Sequence, residues 1–218
     1  MRGKFLELWK QAGNPEGFEL AFAFYNMMYS MEHRKYHNWH HINQGLSLLE
    51  EFPDLIEDPL SFGFAWFSHD YFCCPGRKGE ELRSAQYLKY LIKDKNVESK
   101  FNSNPYQLVI VTDHKTPPET NDQRTIIDMD LFIFGQKPDV YDEYAQNVHD
   151  EYKFVLGRED PVAFEKLWRD QEKGRPSILR HFLNRAKESS IYYTDAVRDK
   201  YEVQAVENLD RELKDLGG

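Results

Sequence analysis

Three features of the 218-residue sequence predict an all-α fold. Apolar residues recur at helical spacing, as in Phe18, Leu20, Ala21, Phe24 and Tyr25, in Leu46, Leu48 and Leu49, and in Leu82, Ala85, Leu88 and Leu91. Strand-like alternation is scarce. Helix starts are marked by an amide or acidic residue before proline, at Asn14-Pro15, Asp58-Pro59, Asn104-Pro105 and Asp160-Pro161. There the first side chain caps and the proline presets the first turn.

Taken in order, the pattern predicts helices over about 2–12, 16–32 after Asn14-Pro15, 38–52 around the Leu46 cluster, and 59–69 after Asp58-Pro59. Further helices are predicted over about 80–94, 105–113 after Asn104-Pro105, 121–135, 139–155, 160–173 after Asp160-Pro161, and 195–215, with a shorter one near 178–186. Thr120 followed by Gln123 reads as a capping box for the helix at 121. The run Leu108-Val109-Ile110-Val111-Thr112 is β-branched enough for a strand, but the cap before it and its apolar length fit a buried helix equally well, and it is assigned to one. The aromatic stripe Phe18, Phe22, Phe24 and Tyr25 reads as core packing. The tail helix, with Tyr201, Val203, Val206, Leu209 and Leu213, is a candidate to cover the core or to join two copies as a homodimer. The breaks at 71–79, 114–120 and 173–177 read as surface loops. No repeat or low-complexity linker interrupts the chain, so residues 1–218 are expected to form a single helical domain. Its core would span about 16–135 and a C-terminal helical extension about 139–215.

The charge balance is 28 basic against 37 acidic residues, net −9, without long like-charge runs. This argues against nonspecific binding to nucleic acid polymers or anionic lipid. The start, Met1-Arg2-Gly3-Lys4 leading into Phe5-Leu6-Glu7-Leu8, has charges where a secretory signal needs an apolar stretch, and no segment approaches spanning length. A cytoplasmic protein without a membrane partner is expected. The two cysteines, Cys73 and Cys74, are adjacent, cannot staple distant segments and fit a reducing compartment.

The chemistry is concentrated in three places. On a helix His37 and His41 lie four apart on one face, whereas His40 is turned about 100° from His41, so only one of the adjacent pair points straight into a shared cavity. His69 and Asp70 are consecutive, and at a helix end before the 71–79 loop both can converge on an ion. Asp128 and Asp130 sit inside the otherwise apolar run Ile126 to Phe134, and at least one needs a cation partner, because an unpaired buried carboxylate is costly. Imidazoles with carboxylates suit one divalent ion such as Mn, Fe, Ni, Zn or Mg, and so few protein ligands leave positions open for water and substrate. That arrangement points to hydrolysis.

The order His, then His-Asp, then Asp resembles the HD superfamily of metal-dependent phosphohydrolases. The fragment Tyr36-His37-Asn38 through His41 also resembles the start of the cyclic nucleotide phosphodiesterase signature. A fuller resemblance, over about residues 30–213, is to a family of uncharacterised bacterial proteins described as predicted metal-dependent HD phosphohydrolases. It rests on Tyr36-His37-Asn38 through Ile42, Phe67-Ser68-His69-Asp70-Tyr71, Glu80-Glu81 with Ser84-Ala85, Asp128 and Asp130-Leu131 with Gly135, Ile191-Tyr192 and Glu202. His149 departs from the family, which has arginine there. The resemblance implies an HD-domain helical bundle and metal ligands His41, His69, Asp70 and Asp130, with Asp130 preferred to Asp128, which becomes a helix-surface or supporting carboxylate.

The expected function is hydrolysis of a small phosphate ester or nucleotide by a metal-activated water. Asp70 would bind the ion and orient or deprotonate the water, and His37 would protonate the leaving group. Lys78, Arg83, Lys115 and Arg158 are the cations to inspect for phosphate contact. His114 is a candidate for substrate or for a second metal, Glu81 for support, and His33 and His40 for peripheral positions. The alternative is a non-catalytic metal- or nucleotide-binding regulatory protein.

Overall fold

The capping signals are realised as hydrogen bonds. Asp58 accepts from Ser61 N at 3.2 Å, Asn104 from Tyr106 N at 3.1 Å and Asp160 from Ala163 N at 2.9 Å, each one residue before a proline that opens a helix. The capping box is reciprocal, with Gln123 N donating to Thr120 Oγ1 and Thr120 N to Gln123 Oε1, both at 3.2 Å. These bonds satisfy amides that a first turn leaves without partners.

The structure, a computed structural model, describes residues 1–14, 17–93 and 100–218. Pro15 of the first Asx-proline start, residue 16 at the expected start of the second helix and residue 94 at the expected end of another lie outside them. Among the described residues the chain is all-α, with eleven α-helices and no strand. They form two units, residues 1–127 and 128–218.

The first unit holds α1 (Arg2–Gln11), α2 (Phe18–Tyr29), α3 (Trp39–Glu51), α4 (Pro59–Ser68), α5 (Glu80–Leu91), α6 (Pro105–Ile110) and the first part of α7 (Asn121–Leu131). Its centre is α4, apolar on every side and buried from Phe64 to Ser68, which is the pattern of a helix enclosed by neighbours. α1, α5 and α6 pack on it. The ambiguous run 108–112 is helical, continuing from α6 into a 3₁₀ turn at Val111–Asp113. Phe18 and Tyr25 of the aromatic stripe are core residues as expected, but Phe24 is 42% exposed.

The second unit holds a 3₁₀ turn at Phe132–Gly135, α8 (Pro138–Leu156), α9 (Pro161–Trp168), α10 (Arg175–Glu188) and α11 (Asp195–Asp215). α9 ends five residues before the expected 173, and α10 exceeds the expected 178–186 at both ends. Pro176 lies in the first turn of α10, where a missing amide proton costs nothing. α11 packs on the 132–135 turn, and Asn208 Nδ2 donates to Phe134 O and Gln136 O, both at 2.8 Å. No helix among the described residues is long and apolar enough to cross a membrane.

Candidate metal centre

Two helices of the first unit meet at an unusually short separation. Asn38 caps α3 by accepting from His40 N at 2.7 Å, which turns His41, Ile42, Gly45 and Leu48 to the buried face. A Cβ at Gly45 would stand 2.1 Å from the Trp66 ring, so only glycine lets α3 lie this close to α4. Trp66 Nε1 donates to Ile42 O at 3.0 Å and fixes the crossing. The same indole stacks on His69, 4.3 Å between ring centroids, with His41 at 5.3 Å.

Side chains tie down the end of α4. Ser68 Oγ donates to Phe64 O at 2.6 Å; Tyr29 OH donates to Phe67 O and His69 Nδ1 to Trp66 O, both at 2.8 Å, satisfying two carbonyls that a last turn leaves open. Arg34 is buried and spends its guanidinium on main-chain oxygens: Asp70 O at 2.6 Å, Tyr71 O at 2.8 Å and His37 O at 3.0 Å. It thereby fastens the turn carrying His37 to the segment carrying Asp70. Ser84 of α5 holds the next residue, accepting from Phe72 N at 2.9 Å.

The result is a cluster of acceptors. His41 Nε2 and His69 Nε2 are 3.1 Å apart, and Asp70 Oδ2 lies 3.5 and 3.2 Å from them. His69 Nδ1 faces a carbonyl, so it carries the ring proton and Nε2 presents a lone pair. His41 Nδ1 lies 3.0 Å from the Tyr36 hydroxyl; with its proton there, the second Nε2 also presents a lone pair. Asp70 Oδ2 is buried and accepts no hydrogen bond among the described residues. Such lone pairs repel unless a proton or a cation lies among them.

Asp130 joins this group: His41, His69, Asp70 and Asp130 each offer a ligand atom, all within 4.8 Å of one another. Asp130 is carried by α7, whose start is anchored in the first unit. Asn121 Nδ2 and Thr125 Oγ1 donate to Leu55 O at 2.8 and 2.9 Å, and the Asp122 carboxylate accepts from Glu57 N and Asp58 N. Ligands about 2.1 Å from an ion at 90–109° to one another stand roughly 3.0–3.4 Å apart; the His41–His69 and His69–Asp70 spacings fall in that range and the His41–Asp70 spacing lies just beyond it, a set that could hold a divalent metal. Both imidazoles also have the Nδ1 partners that orient metal-binding histidines. Burial pushes the Asp70 carboxyl up, but its electrostatic interactions with the neighbouring imidazoles of His69, His37 and His41 outweigh it and hold the group well below the ordinary carboxylate range.

The remaining predicted residues fall in distinct places. His37 stands beside the cluster, its ring 5.9 Å from that of His41. Asp128 is buried rather than on a helix surface. It accepts from Tyr193 N, Thr194 N and Thr194 Oγ1, all at 2.7 Å, at the start of α11. Burial pushes its carboxyl up to about 6 against those bonds. His114 closes the 111–113 turn with φ +56°, outside the group of four, and Lys115 beside it is exposed. Arg83 pairs with Glu80 at 2.7 Å and covers the Phe72 ring, Glu81 is half-buried, and Lys78 and Arg158 are exposed. His33 Nε2 lies 3.3 Å from Cys73 O, and His40 is exposed. Cys73 and Cys74 form no disulfide.

Arg34, Tyr36, Gly45 and Trp66 were not singled out as site residues by sequence reasoning. The available signal was position: Arg34 and Tyr36 flank the turn into His37, Gly45 is one helical turn after His41, and Trp66 is three residues before His69. Comparisons with protein-family models, curated proteins and solved structures give no match, so the site is read from its geometry.

Proposed function

We propose that the chain is an HD-type metal-dependent phosphohydrolase that cleaves a small phosphate ester or a nucleotide with water. The observation that carries this reading is the 3.1 Å approach of two imidazole nitrogens beside Asp70 Oδ2, an arrangement that a bound cation would stabilise. His41, His69, Asp70 and Asp130 would hold the ion. When bound, a divalent ion supplies Lewis-acid polarisation of a phosphoryl oxygen and makes water a better nucleophile near neutral pH.

Asp70, its side chain 19% exposed beside the two imidazoles, orients the attacking water and accepts its proton. His37 is half-buried beside the cluster and donates a proton to the departing oxygen. Arg34 positions both residues through their main-chain oxygens. Lys78, Lys115, Arg83 and Arg158 are the cations to test for phosphate recognition, since a phosphate oxygen gains most from a charged donor.

The test is metal analysis of the purified protein, followed by turnover of nitrophenyl phosphates and a nucleotide panel with added Mn, Fe, Ni, Zn or Mg. Wild type should bind metal and hydrolyse at least one substrate. His69→Ala and Asp70→Ala should lose bound metal and reduce turnover by a hundredfold or more, on the order expected for ligand loss. A wild-type protein that holds metal firmly and turns over nothing on the panel would overturn the enzyme reading in favour of a regulatory metal-binding protein.

A further inference from the structure

α2 is apolar on two faces, and only one of them is used inside the fold. Phe18, Ala21, Tyr25 and Tyr29 are buried against the first unit, with Tyr25 bonded to Ser68 and packed on Phe5. On the opposite side Leu20 is 67% exposed, Phe24 42% and Met27 54%, and Met31, two residues past the end of the helix, is 36% exposed. A helix that is apolar all round is ordinarily enclosed on all sides. From Leu20 to Met31 the sequence contains no charged residue.

We propose that this face pairs with the same face of a second copy of the chain, the two α2 helices antiparallel about a twofold axis. The spacing of the four residues is four, three, four, which reads the same from either end. An antiparallel pairing sets Phe24 opposite Met27 and brings Leu20 to the segment just past the partner helix that carries Met31, and each contact occurs twice, as an isologous interface requires. The axis passes between Phe24 and Met27. At each end the Arg2–Glu19 ion pair of one copy then lies beside Glu32 and His33 of the other.

The area is sufficient. The exposed fractions correspond to roughly 400 Å² of apolar side-chain surface per copy, within the range of the largest patches on ordinary monomers. With an apolar share of about 60%, two such faces belong to an interface of about 1,300 Å², within the range of stable complexes. Methionines suit this role because their flexible side chains fill the gaps between facing helices.

Sedimentation velocity of the full chain over a wide dilution series tests the pairing. Wild type should sediment as a concentration-dependent dimer. Met27→Glu should raise the dissociation constant by about a hundredfold or more, because it places a charge near the axis in both copies. Val203→Glu, on the exposed side of α11, should leave the dimer intact. Circular dichroism and metal content unchanged in Met27→Glu would exclude misfolding as the cause, and Leu20→Glu gives a second, peripheral disruption. A wild-type chain that stays monomeric throughout, or a dimer that survives both Met27→Glu and Leu20→Glu, overturns the proposal.

Discussion

Two buried polar centres, one in each unit, are built on opposite principles. In the second unit Arg175 and Glu212 form a bidentate pair at 2.9 and 3.0 Å, with Tyr144 OH 3.2 Å from the guanidinium and Tyr141 OH on the carboxylate. Donors meet acceptors and the charges cancel, so the centre is complete. In the first unit His41, His69 and Asp70 turn acceptors toward one another, while their outer atoms are held by Tyr36, Trp66 and Arg34. A self-satisfied centre holds a fold together, whereas one that fixes a buried Asp70 oxygen without a hydrogen-bond partner beside two imidazoles could hold a metal ion.

Adjacent carboxylates on α7 test this contrast most directly. Asp130→Asn should lower metal affinity by about tenfold to a hundredfold with little change in folding. Asp128→Ala should leave metal content intact but cost about 3 kcal/mol of stability or more, because it strips the partners from two amides and a hydroxyl at the start of α11. Isothermal titration with metal and denaturant unfolding separate the two. Equal metal loss in both variants would dissolve the distinction.

The closed centre makes its own prediction in pH. Burial pushes the Glu212 carboxyl up, but the Arg175 charge, with hydrogen bonds from Arg175 and Tyr141, more than offsets it and holds the group below its ordinary value. A depressed acid stabilises the fold above its unfolded pKa, about 4.3, and that stabilisation disappears as pH falls through the lower folded value. Glu212→Gln should cost about 2–3 kcal/mol near neutral pH, because it leaves the buried Arg175 charge unbalanced, and should flatten the acid limb of stability against pH. Chemical denaturation from neutral to acid pH measures both. An unchanged acid limb would show that other carboxylates govern it.

The smallest expected effect concerns the helix crossing. Gly45→Ala drives a methyl group into the Trp66 ring and should cost about 1–3 kcal/mol. Because the displaced ring is stacked on His69, metal affinity should fall with it. Thermal melting and metal titration of this variant, compared with an alanine placed at exposed Gly3, isolate the local effect.

Local chemistry was legible in the sequence. The Asx-proline starts at Asp58, Asn104 and Asp160 and the capping box each act within a few residues, and the structure realises them. What the sequence hid depends on partners far along the chain. Asp128 finds its donors 65 and 66 positions away, Arg34 serves oxygens 36 and 37 positions away, and Gly45 is defined by an indole on another helix. The exposed side of α2 was hidden for a different reason: one apolar helix pattern cannot say which of its faces the fold will use.

The indole of Trp66 has a practical consequence. With its ring plane 18° from that of His69 and its centroid 4.3 Å away, the chain carries a native fluorophore in contact with one arm of the cluster. Loading of the site is therefore readable as a change in ultraviolet emission from unlabelled protein, against a background of three other tryptophans.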